Sequence, residues 1–403
     1  MRLLVITQYF WPEDFRINEL VNDFCKRGYE VSIITGQPNY PEGKIHTDFI
    51  RNKRRFNKFA TAHVVRARVP ARGNSKISLV FNYISFIILA SIKSFFYCRK
   101  KQFDHIFVFE PSPITVCLPA IFIKKIFKIP ITFWVLDLWP DTLTAVGVIK
   151  KNSMLLKPLS KLTKYIYKNC DLILGQSKSF VKEIRNYCGN NENIKFFPNW
   201  VEQTYVNEFD DNDIIPNSKE DFKIIFAGNI GTAQDFPKIV QSMISLPESS
   251  NAVLYVLGDG RKKGWLEKEI ESKNISHRIK LVGRYPQSKM PGCFKRADAL
   301  LVSLKSDYIF DKTIPGKLQS YMISKKPILG SINGEGAKLI KDTNCGLVNN
   351  DVNQVSLEEN IIKLENLNNH EREKMGISGY EYALENFNKE KLITNLIAWM
   401  HKI

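Results

Sequence analysis

DKTIPGKLQSYMISKKPILGSINGEG, residues 311–336, reads as loop, short helix, buried strand and glycine-rich turn. Pro315-Gly316 breaks the chain, and Lys317 to Ser324 have room for about two helical turns. Lys325-Lys326-Pro327 ends them. Pro327-Ile328-Leu329-Gly330 is a short apolar strand before the turn Asn333-Gly334-Glu335-Gly336. Such a unit sets a lysine, hydroxyls and amides at a helix start beside the carboxyl edge of a parallel sheet, where α/β folds bind phosphates and nucleotides. An ordinary helix-to-strand corner reads the same way, so the flanking sequence decides.

Upstream, the same pattern recurs. Phe222 to Ala227 is a predicted strand entering Gly228-Asn229-Ile230-Gly231-Thr232 and then a helix. Ala252 to Leu257 enters Gly258-Asp259-Gly260 and a helix bearing Arg261, Lys262 and Lys263. Lys280 to Val282 leads into Gly283-Arg284-Tyr285, and Ala299 to Leu304 is another strand. One glycine after a strand says little. Four such loops at one sheet edge point to a dedicated phosphate or nucleotide site.

The first half is a second α/β domain. Arg2 to Thr7 is a strand, and Ile17, Leu20, Val21 and Phe24 mark one helix face that stops at Gly28 before a strand at Glu30 to Thr35. The loop YFWPEDFRINE lacks the glycines of a dinucleotide fingerprint, which argues against a dehydrogenase. Asp104 to Phe109, Ile131 to Leu136 and Asp171 to Leu174 continue the alternation. With 403 residues, 44% of them hydrophobic, the chain can bury two cores. The expected division is 1–200, a polar linker at 201–221, a second domain at 222–387, and a final helix at 388–403 crossing back to the first domain.

Charge is unevenly placed. Residues 1–200 hold 31 Lys and Arg against 14 Asp and Glu, whereas 201–403 hold 27 of each. Within 51–100 there are twelve basic residues and no acidic one, which predicts an anionic partner: nucleic acid, anionic lipid or a phosphorylated substrate. Ile77 to Ile92 is an uncharged apolar run flanked by Lys76, Lys93, Arg99, Lys100 and Lys101. A bilayer-spanning helix wants roughly 20 apolar residues, and Asn82, Ser85 and Ser91 would be costly inside one. An interfacial or half-buried helix fits better, and IFIKKIFKI (121–129) has the same mixed character. A core helix with basic ends is the alternative for each. Seven scattered cysteines predict a reducing compartment and no zinc site, and the N-terminus shows no signal-peptide pattern.

Several motifs together resemble GT-B glycosyltransferases of family 4, the retaining, sugar-nucleotide-dependent class. They are TQYFWPEDFRINEL (7–20), GQPNYPEGKI (36–45), DLWPD (137–141), FPNWV (197–201), FAGNIG (226–231), GDGRKK (258–263), VGRY (282–285) and the 311–336 stretch. Their order and spacing cover the chain nearly end to end, with the closest likeness to surface-polysaccharide enzymes of the WbuB type, N-acetyl-L-fucosaminyltransferases. The resemblance implies an α/β GT-B fold of two Rossmann-like domains facing a central cleft. It implies a UDP-sugar donor in the second domain, and in the first an undecaprenyl-diphosphate-linked acceptor from O-antigen or capsule assembly. No metal and no cofactor are implied. Asp137, Asn229 and Lys317 become the catalytic candidates. Gly228, Gly231, Thr232, Lys263, Arg284, Tyr285, Gln319 and Ser320 become donor-binding, and Glu13, Arg16, Asn18 and Asn39 acceptor-binding. The sequence departs from the family at its paired glutamates: the positions are Lys312 and Ser320, or Asp311 and Gln319 by the nearest acid. Trp11-Pro12-Glu13 replaces a glycine pair, and Leu136 a histidine. The expected place is the anionic inner face of the plasma membrane, peripheral and cytoplasmic. A sugar-nucleotide epimerase is the enzymatic alternative. A basic nucleic-acid-binding protein is the other, although no nucleic-acid module is recognisable.

Overall fold

A computed structural model describes residues 1–73, 75–145, 147–150, 152–189, 192–205, 213–218, 220–349 and 355–403. Residues 1–197 with 393–403 form one unit and 198–392 another. Much of the stretch expected as a linker, 206–212 and 219, lies outside the described residues.

The first unit is built on eight strands: β1 (Arg2–Thr7), β2 (Glu30–Thr35), β3 (Lys58–Phe59), β4 (Ala62–Arg66), β5 (His105–Glu110), β6 (Ile131–Val135), β7 (Leu172–Gly175) and β8 (Ile194–Phe196). Their order is β3-β4-β2-β1-β5-β6-β7-β8, parallel except for the β3–β4 pair. β1, β5, β6 and β7 are apolar runs buried along almost their whole length, as strands covered by helices on both faces must be. The order turns outward in both directions from β1 and β5. That topological switch point is where open α/β sheets take ligands, at the carboxyl ends of the strands.

The apolar run beginning at Ile77 belongs to a longer helix, Lys76–Lys100. Asn82, Phe86, Ala90, Ser94 and Cys98 recur every fourth residue and are all buried. The Asn82 side chain accepts from Gln8 Nε2 (2.5 Å) and donates to the Pro70 carbonyl (2.6 Å), tying the helix to the sheet edge. The opposite stripe is bare: Ile77 is 82% exposed, Phe81 59% and Phe96 56%, with Ile84, Ile88 and Ile92 between them. By length and composition this helix is apolar enough to cross a membrane. One face is nevertheless fixed to its own unit.

The second unit carries β9 (Phe222–Ala227), β10 (Ala252–Leu257), β11 (Ile279–Gly283), β12 (Ala299–Ser303), β13 (Ile328–Ser331) and β14 (Gly346–Asn349), all parallel, in the order β11-β10-β9-β12-β13-β14. Its switch point lies between β9 and β12. Phe226, Leu254, Val256 and Leu301 join Ile239, Met243 and Leu266 in the core on one sheet face; each fully buried apolar side chain contributes about 1.5–3 kcal/mol. The turn at 333–336 opens a helix, Gly334–Asp342, whose first residue has φ +62° and lies against the Asp311 carbonyl too closely for any Cβ. Arg261 and Lys262 precede the helix that they were expected to ride, since it begins at Lys263.

Candidate functional site

In the second unit, the loops after β9, β10 and β11 interlock. Gly228 N–H donates to Leu257 O (2.8 Å) and Gly258 N–H to Gly283 O (2.8 Å), while Ile230 N–H reaches Asp259 O (2.8 Å). Gly258 packs on the Gly228 carbonyl at a distance that excludes a Cβ, and the Asn229 side chain lies across Gly231 and Gly260. The expected glycine loops thus meet at one edge. They do so by bonding to one another.

Lys317 sits in the middle. It enters from the helix Gly316–Met322, and a Cβ on Gly228 would stand 2.7 Å from its Nζ. The ammonium lies 3.6 Å from the centroid of the Phe226 ring. Lys317 is half-buried as a residue, but its Nζ is buried and has no hydrogen-bond partner among the described residues. Burial pushes its pKa down to about 7. The lysine expected at a helix start is thus a sequestered amine. An anion with several acceptor oxygens is what this amine lacks. Tyr321, one turn further on, is buried and accepts from Ala227 N–H (3.0 Å), so the helix is pinned to the end of β9.

The Gly228–Thr232 loop does not run into a helix N-terminus. A short 3₁₀ turn, Thr232–Gln234, and the left-handed Asp235 separate it from the helix Phe236–Ile244, and Gly231 N–H is already bonded to Gln234 Oε1 (3.1 Å). Gln319 and Ser320 are buried, and the Gln319 amide, oriented to do so, donates to Pro315 O (3.1 Å) and Gly316 O (2.7 Å). Neither offers the missing carboxylate. Lys312 instead stacks 3.4 Å over the Tyr308 ring. Lys263 pairs with Glu267 (3.8 Å), while Arg284 and Tyr285 are exposed on the loop after β11. An Asp-x-Asp spacing occurs at Asp211-Asn212-Asp213; its first two residues lie outside the described ones, and Asp213 pairs with Arg296 (2.9 Å).

In the first unit, Glu13, Asn18 and Asn39 form one loop frame. The buried Glu13 carboxylate accepts from the N–H groups of Phe10 (3.1 Å), Asn39 (2.7 Å) and Tyr40 (2.8 Å). Burial raises its pKa against the pull of those donors. Asn18 accepts from Trp11 N–H (3.0 Å) and donates to Glu13 O (2.7 Å), and Asn39 Oδ1 accepts from Arg72 N–H (3.0 Å). Arg16 pairs with Glu19 at 3.1 Å. These contacts brace the loops after β1 and β2.

Asp137 has a partner that sequence reasoning passed over. Glu110 closes β5 and is fully buried; its Oε2 accepts from Asp137 N–H (3.2 Å), and its Oε1 has no partner among the described residues. Burial, then the Asp137 charge, drives the Glu110 pKa well above the carboxylate range. Burial also raises that of Asp137, opposed by donors from Thr142, Ser112 and Trp139. The signal was present in HIFVFE, where a buried apolar strand ends in an acid at the carboxyl edge.

Residues 207–382 match the family described as Glycosyl transferases group 1. The probable glycosyltransferase WbjE of Pseudomonas aeruginosa is 26% identical over 53% of this chain and 55% of its own, so the match spans about half of that relative. WcaI of Escherichia coli K12, a putative colanic acid biosynthesis glycosyl transferase, is 22% identical over 80% of this chain and 81% of its own. The crystal structure of Anabaena HepE with UDP superposes at a TM-score of 0.71, at 10% identity, with all of both chains covered. The fold is therefore GT-B: two Rossmann-like units on separate, mostly parallel sheets.

Proposed function

We propose that this chain is a glycosyltransferase that binds a nucleotide-diphosphate sugar in its second unit and passes the sugar to an acceptor hydroxyl. The carrying observation is Lys317, a buried amine without a hydrogen-bond partner among the described residues, set against Gly228 at the end of β9. As the donor reacts, the bond from the sugar C1 to the diphosphate oxygen breaks and a bond from C1 to the acceptor oxygen forms. The acceptor's proton passes to the departing phosphate on the same face, so configuration is retained without a protein nucleophile. The diphosphate gains charge as it leaves, and a preorganised ammonium stabilises that change most in a site with little water. Lys317 supplies it in place of a metal ion, with Asn229 beside it on the loop. The Glu110–Asp137 carboxyl pair serves the acceptor hydroxyl, and Glu13, Asn18 and Asn39 hold the acceptor-side loops.

The donor in this reading is a UDP-sugar, in keeping with the UDP held by HepE. N-acetyl-L-fucosamine is the proposed sugar, and an undecaprenyl-diphosphate-linked saccharide of O-antigen or capsule assembly the proposed acceptor, in keeping with the colanic acid role given for WcaI. Such an acceptor places the first unit at the anionic inner membrane surface, as a peripheral protein. The bare stripe of helix Lys76–Lys100, continued by exposed Phe122 and Ile126 on the adjoining helix Leu118–Phe127, supports this, as does the basic excess of residues 1–200. Saturation-transfer NMR with a panel of UDP-, GDP- and dTDP-sugars tests the core of the proposal. UDP-sugars should show transfer that Lys317→Met reduces; no transfer from any nucleotide sugar would overturn it.

A further inference from the structure

The first unit holds a cavity of about 460 Å³ along β4, within the size of small-ligand pockets. His63, Arg66 and Arg68 line it from β4 and just beyond, Lys53 from the turn Lys53–Asn57, and Lys93 from helix Lys76–Lys100. No acidic side chain lines it. Lys53, Arg68 and Lys93 make no ion pair among the described residues. Arg66 is fixed in place: Nη1 donates to Gly36 O (2.9 Å), Nη2 to Trp11 O, and its guanidinium lies 5.2 Å over the Phe49 ring. Its Nε is buried with no partner among the described residues, and burial lowers its pKa to about 10. Four cations around one cavity repel each other, and an anion among them removes that cost.

The cavity also adjoins apolar surface. Lys93 follows Ile92 directly and precedes Phe96 by one helical turn, so it stands at the border of the bare stripe. We propose that this cavity binds the phosphate end of an amphiphile whose hydrocarbon lies along the exposed face of helix Lys76–Lys100. The ligand chemistry is a phosphate or diphosphate ester on a long apolar chain. Two sources share it: a phospholipid headgroup, and a prenyl diphosphate of the kind that carries acceptor sugars. The inference rests on the membrane half of the proposed function and is independent of glycosyl transfer.

Titration calorimetry on the full chain tests it, in the Lys317→Met background so that the donor-side amine contributes nothing. The probes are inorganic pyrophosphate, farnesyl diphosphate and dihexanoylphosphatidylglycerol. Lys53→Gln with Arg68→Gln should weaken the best probe roughly a hundredfold, about tenfold for each charge-assisted bond lost. A charge-matched control, Lys178→Gln with Lys182→Gln on the exposed face of another helix, should change it less than about twofold. Tighter binding of farnesyl diphosphate than of pyrophosphate assigns the cavity to the prenyl carrier. Tighter binding of the phosphatidylglycerol assigns it to a membrane headgroup. Equal affinity in the cavity variant and its parent, or no binding of any probe, overturns the proposal. In a separate UDP titration, the binding that Lys317→Met removes reports on the donor site and the binding that Lys53→Gln with Arg68→Gln removes reports on the cavity, so the two readings fail independently.

Discussion

Replacing Lys317 by methionine should make the protein more stable while disabling it. Burial lowers the Lys317 pKa from 10.5 to about 7. At about 1.4 kcal/mol for each tenfold change in proton affinity, that sets a ceiling on the order of 5 kcal/mol for keeping the amine in its site at neutral pH. The contact with the Phe226 ring at 3.6 Å offsets part of this, as does relaxation of the surrounding loops. A net gain of about 2 kcal/mol for an isosteric apolar side chain is a fair working figure. For a unit the size of residues 198–392 this raises Tm by roughly 4–8 °C. The pH dependence identifies the cause. Between pH 7 and 10.5 the unfolded chain holds its Lys317 proton and the folded one does not, so wild-type stability rises across that window and the cost is complete below it. The difference in Tm between variant and wild type should therefore be full at pH 7 and close towards pH 10.5. Turnover of the donor should fall by roughly two to three orders of magnitude, because the lost charge acts on the departing diphosphate. Calorimetry across pH and a UDP-release assay measure both. A fall in Tm, or a difference that does not vary with pH, would refute the sequestered-amine argument.

Three further outcomes are expected. Glu110→Gln should stabilise the first unit increasingly as pH rises above 4.5, since the folded Glu110 keeps a proton that the unfolded one releases; a thermal melt series from pH 4 to 8 showing no trend would count against it. Activity should survive excess EDTA, with Lys317 supplying the positive charge; complete loss restored by Mg²⁺ or Mn²⁺ would refute the metal-independent mechanism. Phe81→Ser with Ile84→Ser and Ile88→Ser should release the protein from phosphatidylglycerol vesicles at low and high salt alike, because the apolar contribution is unscreened, whereas Arg99→Gln with Lys100→Gln should weaken binding at low salt only. Lys101 is unsuited to that test, since it pairs with Glu30 at 2.6 Å.

What could be read in the sequence follows what local pattern encodes. Phe222–Ala227 and Ala252–Leu257 have the observed strand bounds because each is an apolar run, the first interrupted only by Lys223, stopped by glycine. β4, AHVVR, was missed because it is five residues long with two polar ones, and its partner β2 precedes it by nearly thirty residues. The site residues separate in the same way. That the glycine loops share an edge was legible from their recurrence after strands. The burial of Lys317 was not, because a lysine at a helix start reads as solvated, and only the close approach of Gly228 and the Phe226 ring encloses it. Glu13 read as an acid turned to a ligand, yet three backbone N–H groups, one from its own loop and two from the loop after β2, claim it. Both placements have one physical origin. A charged side chain takes its role from whatever surrounds it, and those surroundings are assembled by sequence-distant backbone that no local window contains. Where such a group ends unpaired and buried, as at Lys317 Nζ, the fold bears a cost that packing alone does not explain. A ligand that completes the pairing explains why the cost is borne, and it makes this buried amine informative about what the second unit binds.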